Sequence, residues 1–169
     1  MEIIIEKLQL AELDSFFQIF SELLQKDFPG YSKAVINYFL IKAYNKSAYH
    51  YWLTTGWKII FVAKKEGHII GFSVIDKPYG GVCFLRWLGV LPEFRNQGAG
   101  GKLISNWIEY AKNYGCHKVE LASQPEAKIF YQKCGLILEG ERQLSYFGIN
   151  QPIFGKLIGR PNDVVMTRD

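Results

Sequence analysis

The sequence predicts a protein of the α+β class with a mixed sheet, contained in one domain over residues 1–169. Three observations support this class. Apolar residues recur at helical spacing early in the chain, two apolar runs flank a Glu66-Gly67 turn, and a third apolar run ends at Val90 before a glycine-rich turn and another helical pattern. With 169 residues, 49% of them hydrophobic, the chain can bury one sizeable core.

The first half of the chain predicts one strand, two helices and a hairpin. Alternation over 3–8 indicates a strand, although its charged residues leave it ambiguous. Leu and Phe recur at helical spacing over 11–26, where Phe28-Pro29-Gly30 ends the helix, and a second amphipathic helix is predicted over 33–44. Runs over 59–63 and 69–75 flank the Glu66-Gly67 turn as hairpin strands.

The second half alternates strands and helices. A turn over 76–81 leads into a strand over 82–90, and the helix after the glycines carries Leu103, Ile104 and Trp107 at helical spacing. The remaining predicted elements are a strand over 118–122, a helix over 126–133, and closing strands over 136–145 and 153–158.

The turn between the strand ending at Val90 and the next helix has the composition of a phosphate-binding site. Three glycines, Gly98, Gly100 and Gly101, fall within four residues where the helix begins. Without side chains in the way, successive backbone N–H groups can converge on an anion, and the helix N-terminus adds partial positive charge. Arg95 and Lys102 add full charges. The turn is therefore interpreted as a diphosphate cradle.

Two other phosphate-binding turns lack required residues here. A P-loop needs Gly at its first and Ser or Thr at its last position, which Asn96 and Leu103 occupy. The dinucleotide fingerprint needs a third glycine where Leu103 stands. A mononucleotide-binding protein remains open as an alternative, but its motif fits poorly.

Two segments carry a resemblance to a known family. Val90-x-Pro92-x-x-Arg95-x-x-Gly98-x-Gly100 resembles the Arg/Gln-x-x-Gly-x-Gly/Ala signature of the Gcn5-related N-acetyltransferase (GNAT) family. The segment Ala127-Lys128-Ile129-Phe130-Tyr131-Gln132-Lys133-Cys134-Gly135-Leu136 resembles the family's Ala-x-x-Phe/Leu-Tyr-x-Lys-x-Gly-Phe element. The resemblance covers about residues 59–146 and is generic before Ile59.

The resemblance implies a fold, an activity and a co-substrate. The implied fold is a single domain with a central, mostly antiparallel twisted sheet flanked by helices. The implied activity is transfer of an acetyl group from acetyl-CoA to a primary amine, by direct attack in a ternary complex and without a metal. A non-catalytic acyl-CoA-binding sensor or regulatory module is the alternative.

The resemblance also implies roles for individual residues. The turn would hold the pyrophosphate, the preceding strand would bind the pantetheine arm through main-chain groups, and Tyr131 would protonate the leaving sulfur. Gln124 stands where many members have a cofactor-contacting asparagine, one methylene shorter. The implied cofactor-binding residues are Leu88, Gly89, Val90, Arg95, Asn96, Gln97, Gly98, Ala99, Gly100, Gly101, Lys102, Gln124 and Tyr131.

The sequence departs from the family pattern at the position of the general base. Many members carry a glutamate on the strand before the cradle, but the residues over 82–88 include no carboxylate. Glu120 on the next strand is the predicted substitute, against the simpler interpretation of a solvent-facing strand carboxylate. Arg86, unusual in an apolar strand, is expected to pair with Glu120 or with an acidic group of the acceptor, unless it only extends to solvent. Tyr131 has a simpler interpretation too, as a core residue.

Composition limits the partners. A net charge of +4 suits an anionic co-substrate but is too small to indicate nucleic acid. Neither a membrane span nor a signal segment is apparent, and three scattered cysteines read as reduced thiols, so a cytoplasmic location is expected. The acceptor is expected to be a small-molecule or protein amine, near aromatic segments such as 49–52 and 146–150. A homodimer is left open.

Overall fold

The structure is a computed structural model that describes residues 2–168. It contains seven strands and six α-helices over that range, with short 3₁₀ turns between them. The strands are β1 (Ile4–Lys7), β2 (Lys58–Lys65), β3 (His68–Asp76), β4 (Val82–Val90), β5 (Lys118–Ala122), β6 (Ile137–Arg142) and β7 (Gln151–Leu157). The helices are α1 (Leu13–Lys26), α2 (Lys33–Tyr38), α3 (Lys46–Thr55), α4 (Ala99–Tyr114), α5 (Lys128–Lys133) and α6 (Asp163–Met166).

The strands form one sheet in the order β1-β2-β3-β4-β5-β7-β6. β4 and β5 are parallel, with Phe84 opposite Glu120, because α4 connects them as a crossover. β7 lies antiparallel between β5 and β6. This mixed, mostly antiparallel sheet flanked by helices confirms the predicted fold class.

The described residues divide into two compact units, and the first contains residues 2–74 and 87–103. Its larger core is aromatic: the ring of Phe20 lies 5.1 Å from that of Tyr49, 5.7 Å from Phe72 and 5.8 Å from Trp87. Edge-to-face pairs of this kind add to the burial of their apolar area. A smaller cluster joins the start of α4 to the sheet through Ala99 and Leu103, together with Ile3, Ala63 and Ile70.

The second unit contains residues 75–86 and 104–168. Val119, Leu121 and Phe154 are buried on β5 and β7, and Tyr131 of α5 packs on Phe154 with 5.7 Å between ring centroids. Cys83 and Cys116 are buried, whereas Cys134 is only half-buried. The prediction that residues 1–169 form one domain stays a prediction.

Most predicted elements are present with small changes at their ends. The hairpin turn is confirmed, since Glu66 and Gly67 both have positive φ, at 52° and 79°. The helix predicted over 33–44 is wrong in its second half: the α-helix ends at Tyr38 and continues as a π-helical turn over Phe39–Ala43. There the Tyr44 N–H donates to the Phe39 carbonyl, and the wider turn keeps Phe39 in the core.

The sequence reasoning missed α3. The segment 49–52, expected near the acceptor, lies in this helix: Tyr49 is fully buried among Phe16 and Phe20, while Tyr51, two residues further on, is exposed. Two capping signals mark the helix. Asn45 accepts a hydrogen bond from the Ala48 N–H at 2.8 Å, and Gly56 follows the last turn at φ 76°.

We expect an Asn45→Ala variant to lose about 1 kcal/mol of unfolding free energy, because the α3 N-terminus loses its side-chain acceptor. Asn37→Ala, on the exposed face of α2, is the matched control and is expected to change stability by less than about 0.5 kcal/mol. Urea denaturation of both variants measures the difference. Equal stability of the two would contradict the capping role.

Candidate active site

The segment between β4 and α4 turns the chain through two residues of positive φ. A 3₁₀ turn over Pro92–Phe94 follows β4, and Asn96 and Gly98 then adopt φ values of 58° and 87°. Glycine adopts such a conformation without steric strain and asparagine tolerates it better than most residues, which explains Gly98 and Asn96. The helix begins at the next residue, Ala99, whose side chain is buried and fixes the start of the helix on the sheet.

The start of α4 offers unused backbone donors. The first bond along the helix runs from the Lys102 N–H to the Gly98 carbonyl at 3.0 Å, so the preceding N–H groups of the first turn have no acceptor within the helix. A Cβ atom built on Gly98 or on Gly101 would meet nothing within 4 Å. Two glycines beside these donors therefore border open space, and a turn with unused donors at a helix N-terminus fits an anionic group such as a diphosphate.

The charged and amide side chains of the turn have protein partners. Arg95 donates from Nε to the Val90 carbonyl at 2.9 Å and forms an ion pair with Asp27. Gln97 donates to the Glu93 carbonyl and accepts from Lys65 at 2.9 Å.

Lys102 donates from Nζ to the Ile3 carbonyl at 2.8 Å. Side chains expected to contact phosphate thus hold the turn in place, while its main chain faces open space.

Packing explains the glycine on the strand before the turn. A Cβ on Gly89 would lie 2.8 Å from Leu23 of α1 and 3.0 Å from Phe72 of β3. The Gly89 carbonyl in turn lies 2.8 Å from the Cβ position of Gly71. Leu88, Gly89 and Val90 end β4 directly before the turn, as predicted.

Tyr131 and Gln124 belong to the second unit, whereas Leu88–Lys102 belong to the first. Tyr131 is buried against Phe130 and Phe154, with centroids 5.1 and 5.7 Å away, and this burial raises the pKa of its phenol above the usual value. Gln124 follows β5, and its buried Oε1 has no hydrogen-bond partner among residues 2–168. A buried acceptor without a donor is a costly arrangement that a ligand N–H would relieve.

Glu120 on β5 is part of an ion-pair network. Lys118 Nζ lies 2.8 Å from Glu120 Oε1 and 2.8 Å from Glu139 Oε2, and both carboxylates raise the pKa of Lys118. Gly155 on β7 makes room for this network, because a Cβ there would lie 2.5 Å from Glu139 Oε1.

Arg86 pairs with a carboxylate that the sequence reasoning did not consider. Its Nη2 lies 2.5 Å from Asp76 Oδ2 at the end of β3, and its guanidinium group stacks 4.6 Å from the centroid of the Phe84 ring. Asp27 and Asp76 were both missed as partners of arginine. No sequence motif marks them, because each pair forms only when separate elements meet.

The aromatic segment after β6 remains on the surface. Tyr146 and Phe147 are exposed in a 3₁₀ turn over Tyr146–Gly148, where Phe147 has φ 61°. Within residues 2–168, no three His, Cys, Asp or Glu side chains are grouped so as to hold a metal ion. Over the same residues, every helix is too short or too polar to cross a bilayer.

A family model described as the acetyltransferase (GNAT) family matches residues 17–136, well over half of the chain. The chain belongs to the GNAT acetyltransferase family. The match includes β4, the glycine turn, β5 and α5, so it contains both segments that carried the resemblance. The predicted family is confirmed.

Curated relatives of this GNAT protein match over a short region. A probable glucosamine 6-phosphate N-acetyltransferase 2 of Oryza sativa subsp. japonica is 38% identical over 53 residues, which are 31% of this chain and 32% of that protein. The glucosamine 6-phosphate N-acetyltransferase of Arabidopsis thaliana is 35% identical over 54 residues, 32% of this chain and 36% of that protein. The chain therefore matches about a third of the length of these relatives.

Solved structures resemble the GNAT protein over nearly its whole length. The PaiA N-acetyltransferase from Thermoplasma acidophilum, in complex with coenzyme A, has a TM-score of 0.77 at 21% identity and covers 94% of this chain and 100% of that one. A GNAT superfamily phosphinothricin acetyltransferase from Sinorhizobium meliloti, in complex with AcCoA, has a TM-score of 0.76 at 17% identity, with coverage of 96% and 95%. At these identities the likeness is one of fold.

Proposed function

We propose that this GNAT protein is an acetyl-CoA-dependent N-acetyltransferase that acts on a primary amine. The observation that carries the proposal is the glycine turn at the start of α4. Its first N–H groups have no acceptor within the helix and Gly98 and Gly101 border open space, while Arg95, Gln97 and Lys102 are held by other parts of the protein. The backbone N–H groups at this position would bind an anionic ligand, such as the diphosphate of coenzyme A.

The proposed binding roles are divided between the glycine turn and the strand that precedes it. The main chain from Asn96 to Gly101 binds the pyrophosphate, and Leu88–Val90 at the end of β4 bind the pantetheine arm through main-chain groups. Gln124 is a further proposed contact with the co-substrate, since its unpaired Oε1 is an acceptor suited to a ligand N–H.

The proposed chemistry needs two proton transfers. The amine lone pair attacks the thioester carbon, the carbon–sulfur bond breaks, the nitrogen loses a proton and the sulfur gains one. Tyr131 is the proposed donor to the leaving sulfur. Burial raises its pKa, so the phenol remains protonated over the working pH range and serves as a hydrogen-bond donor to developing negative charge.

Glu120 remains the proposed general base. Its Oε1 is engaged by the Lys118 ammonium group at 2.8 Å, so the other carboxylate oxygen, Oε2, is the proposed acceptor of the proton.

We propose a small-molecule amine as the acceptor. The named activity of the curated relatives, glucosamine 6-phosphate N-acetylation, and that of the phosphinothricin acetyltransferase both concern small molecules with an amino group. A cytoplasmic location is proposed because the cysteines described, Cys83, Cys116 and Cys134, are free thiols. A homodimer remains a proposal that light scattering tests.

Calorimetric titration with acetyl-CoA, coenzyme A and ATP tests the binding step, and a thiol-release assay with a panel of amines tests catalysis. The panel contains glucosamine 6-phosphate, a polyamine, lysine and a peptide with a free N-terminus. We expect micromolar binding of acetyl-CoA, none of ATP, and thiol release with a small amine. Binding without thiol release from any amine would indicate a regulatory CoA-binding module instead, and no binding would overturn the proposal.

A further inference from the structure

The C-terminal end of α1 is connected to the glycine turn by one ion pair. Asp27 is the residue after α1, and its backbone N–H donates to the Leu23 carbonyl at 2.8 Å. Its carboxylate Oδ2 contacts Arg95 Nη2, 68 residues further along the chain. Both side chains are partly buried, with 26% of Asp27 and 43% of Arg95 exposed, which protects the pair from full solvent screening.

The same guanidinium group also holds the end of β4. Arg95 Nε donates to the Val90 carbonyl at 2.9 Å, while Nη2 faces Asp27. Arg95 stands immediately before Asn96 and Gly98, the two residues whose positive φ values shape the turn. One side chain therefore joins the end of a helix, the end of a strand and the start of the turn.

We propose that Asp27 is a positioning residue for coenzyme A binding. It holds the Arg95 guanidinium group against the Val90 carbonyl, and this fixes the backbone from which the turn presents its N–H groups. The inference rests on the proposed function, in which this turn binds the diphosphate of coenzyme A. It assigns Arg95 to bracing the turn, rather than to contact with phosphate.

If Arg95 instead contacted phosphate directly, the predicted change in affinity would have the opposite sign. If Arg95 were a direct phosphate ligand, Asp27 would compete with the phosphate for the same guanidinium group, and removing the Asp27 charge would strengthen binding. If Arg95 braces the turn, removing that charge loosens the turn and weakens binding. The sign of the change in affinity distinguishes the two roles.

An Asp27→Asn variant tests the sign by calorimetric titration with coenzyme A. Loss of a partly exposed ion pair is expected to raise the Kd about fivefold. The KM for acetyl-CoA should rise by a similar factor, while kcat at saturating acetyl-CoA stays unchanged. General destabilisation of the protein would not raise KM without also changing kcat. Asp14→Asn is the matched control, since Asp14 lies at the other end of α1 and pairs with Lys46 at 2.8 Å, and it should bind as the wild type does.

A charge exchange provides a second test. Arg95→Asp alone is expected to weaken binding, and Asp27→Arg combined with Arg95→Asp is expected to recover part of the loss. A direct phosphate ligand could not be restored in this way. Circular dichroism checks that each variant folds, and Asp27→Glu, which keeps the charge but displaces the carboxylate, replaces Asp27→Asn if the latter does not fold.

The outcomes separate this inference from the proposed function. Wild-type protein that fails to bind coenzyme A overturns both. Wild-type binding together with equal or tighter binding by Asp27→Asn, or with no recovery in the exchanged double variant, overturns the positioning role and leaves the proposed function intact.

Discussion

A Gly101→Glu variant is expected to fold normally and to bind coenzyme A at least about a hundredfold more weakly, because a carboxylate about 4 Å from a phosphate is repelled by several kcal/mol in a partly screened site. The fold should tolerate the change. Gly101 is the third residue of α4, and a Cβ there meets nothing within 4 Å. An acidic residue in the first helical turn also interacts favourably with the helix dipole.

Gly101→Gln is the matched control, since it has the same length without the charge. It should lose at most about tenfold in affinity, because its cost is limited to steric adjustment in open space. Calorimetric titration with coenzyme A measures both variants, and thermal denaturation shows that both fold. Binding by Gly101→Glu as tight as that of the wild type would place the diphosphate elsewhere.

A Tyr131→Phe variant is expected to lower kcat about a hundredfold and to leave the Kd for coenzyme A within about twofold of the wild-type value, because general acid assistance typically contributes this much. The ring contacts with Phe130 and Phe154 are kept, so the core around α5 remains packed. Steady-state kinetics with the best acceptor amine and calorimetric titration give the two quantities.

Tyr114→Phe on α4 is the control for removing a phenol hydroxyl, as its ring also remains in place beside Arg168. The pH profile adds a second criterion. Because burial raises the pKa of Tyr131, its proton is lost only at a pH above the usual range of a phenol, so the alkaline limb of the profile should not shift in the variant. Unchanged kcat in Tyr131→Phe would show that the residue is only part of the core.

Local signals made much of the fold predictable. The helical spacing of apolar residues located α1, which has one buried face, and apolar runs bounded by turns located β2, β3 and β4, of which β3 is buried throughout 69–75. α3 escaped prediction since its run of four aromatic and histidine residues hides the period, although the Asn45 and Gly56 caps were readable. The π-helical turn depends on where Phe39 must reach in the core, which no local pattern records.

The candidate site, like the fold, was predictable only where a local sequence pattern marks it. The glycine turn could be read because its backbone conformation demands particular residues, such as Gly98 at φ 87°. The partners of Arg95 and Arg86 could not, as Asp27 and Asp76 reach them only through tertiary packing. The sequence thus indicated which backbone would face the ligand, but it assigned Arg95 to phosphate without showing that its charge is already engaged.

The glycine turn places its recognition groups on the peptide backbone, which every residue possesses. On the proposed function, a substitution that leaves the path of the chain unchanged removes none of the donors, whereas one that alters this path removes several together. Selection at such a site therefore acts on the conformation of the backbone more than on the chemical identity of the side chains. Residues far away in the sequence, Asp27 among them, carry part of this constraint, because the donors stay in position only while the path of the chain does.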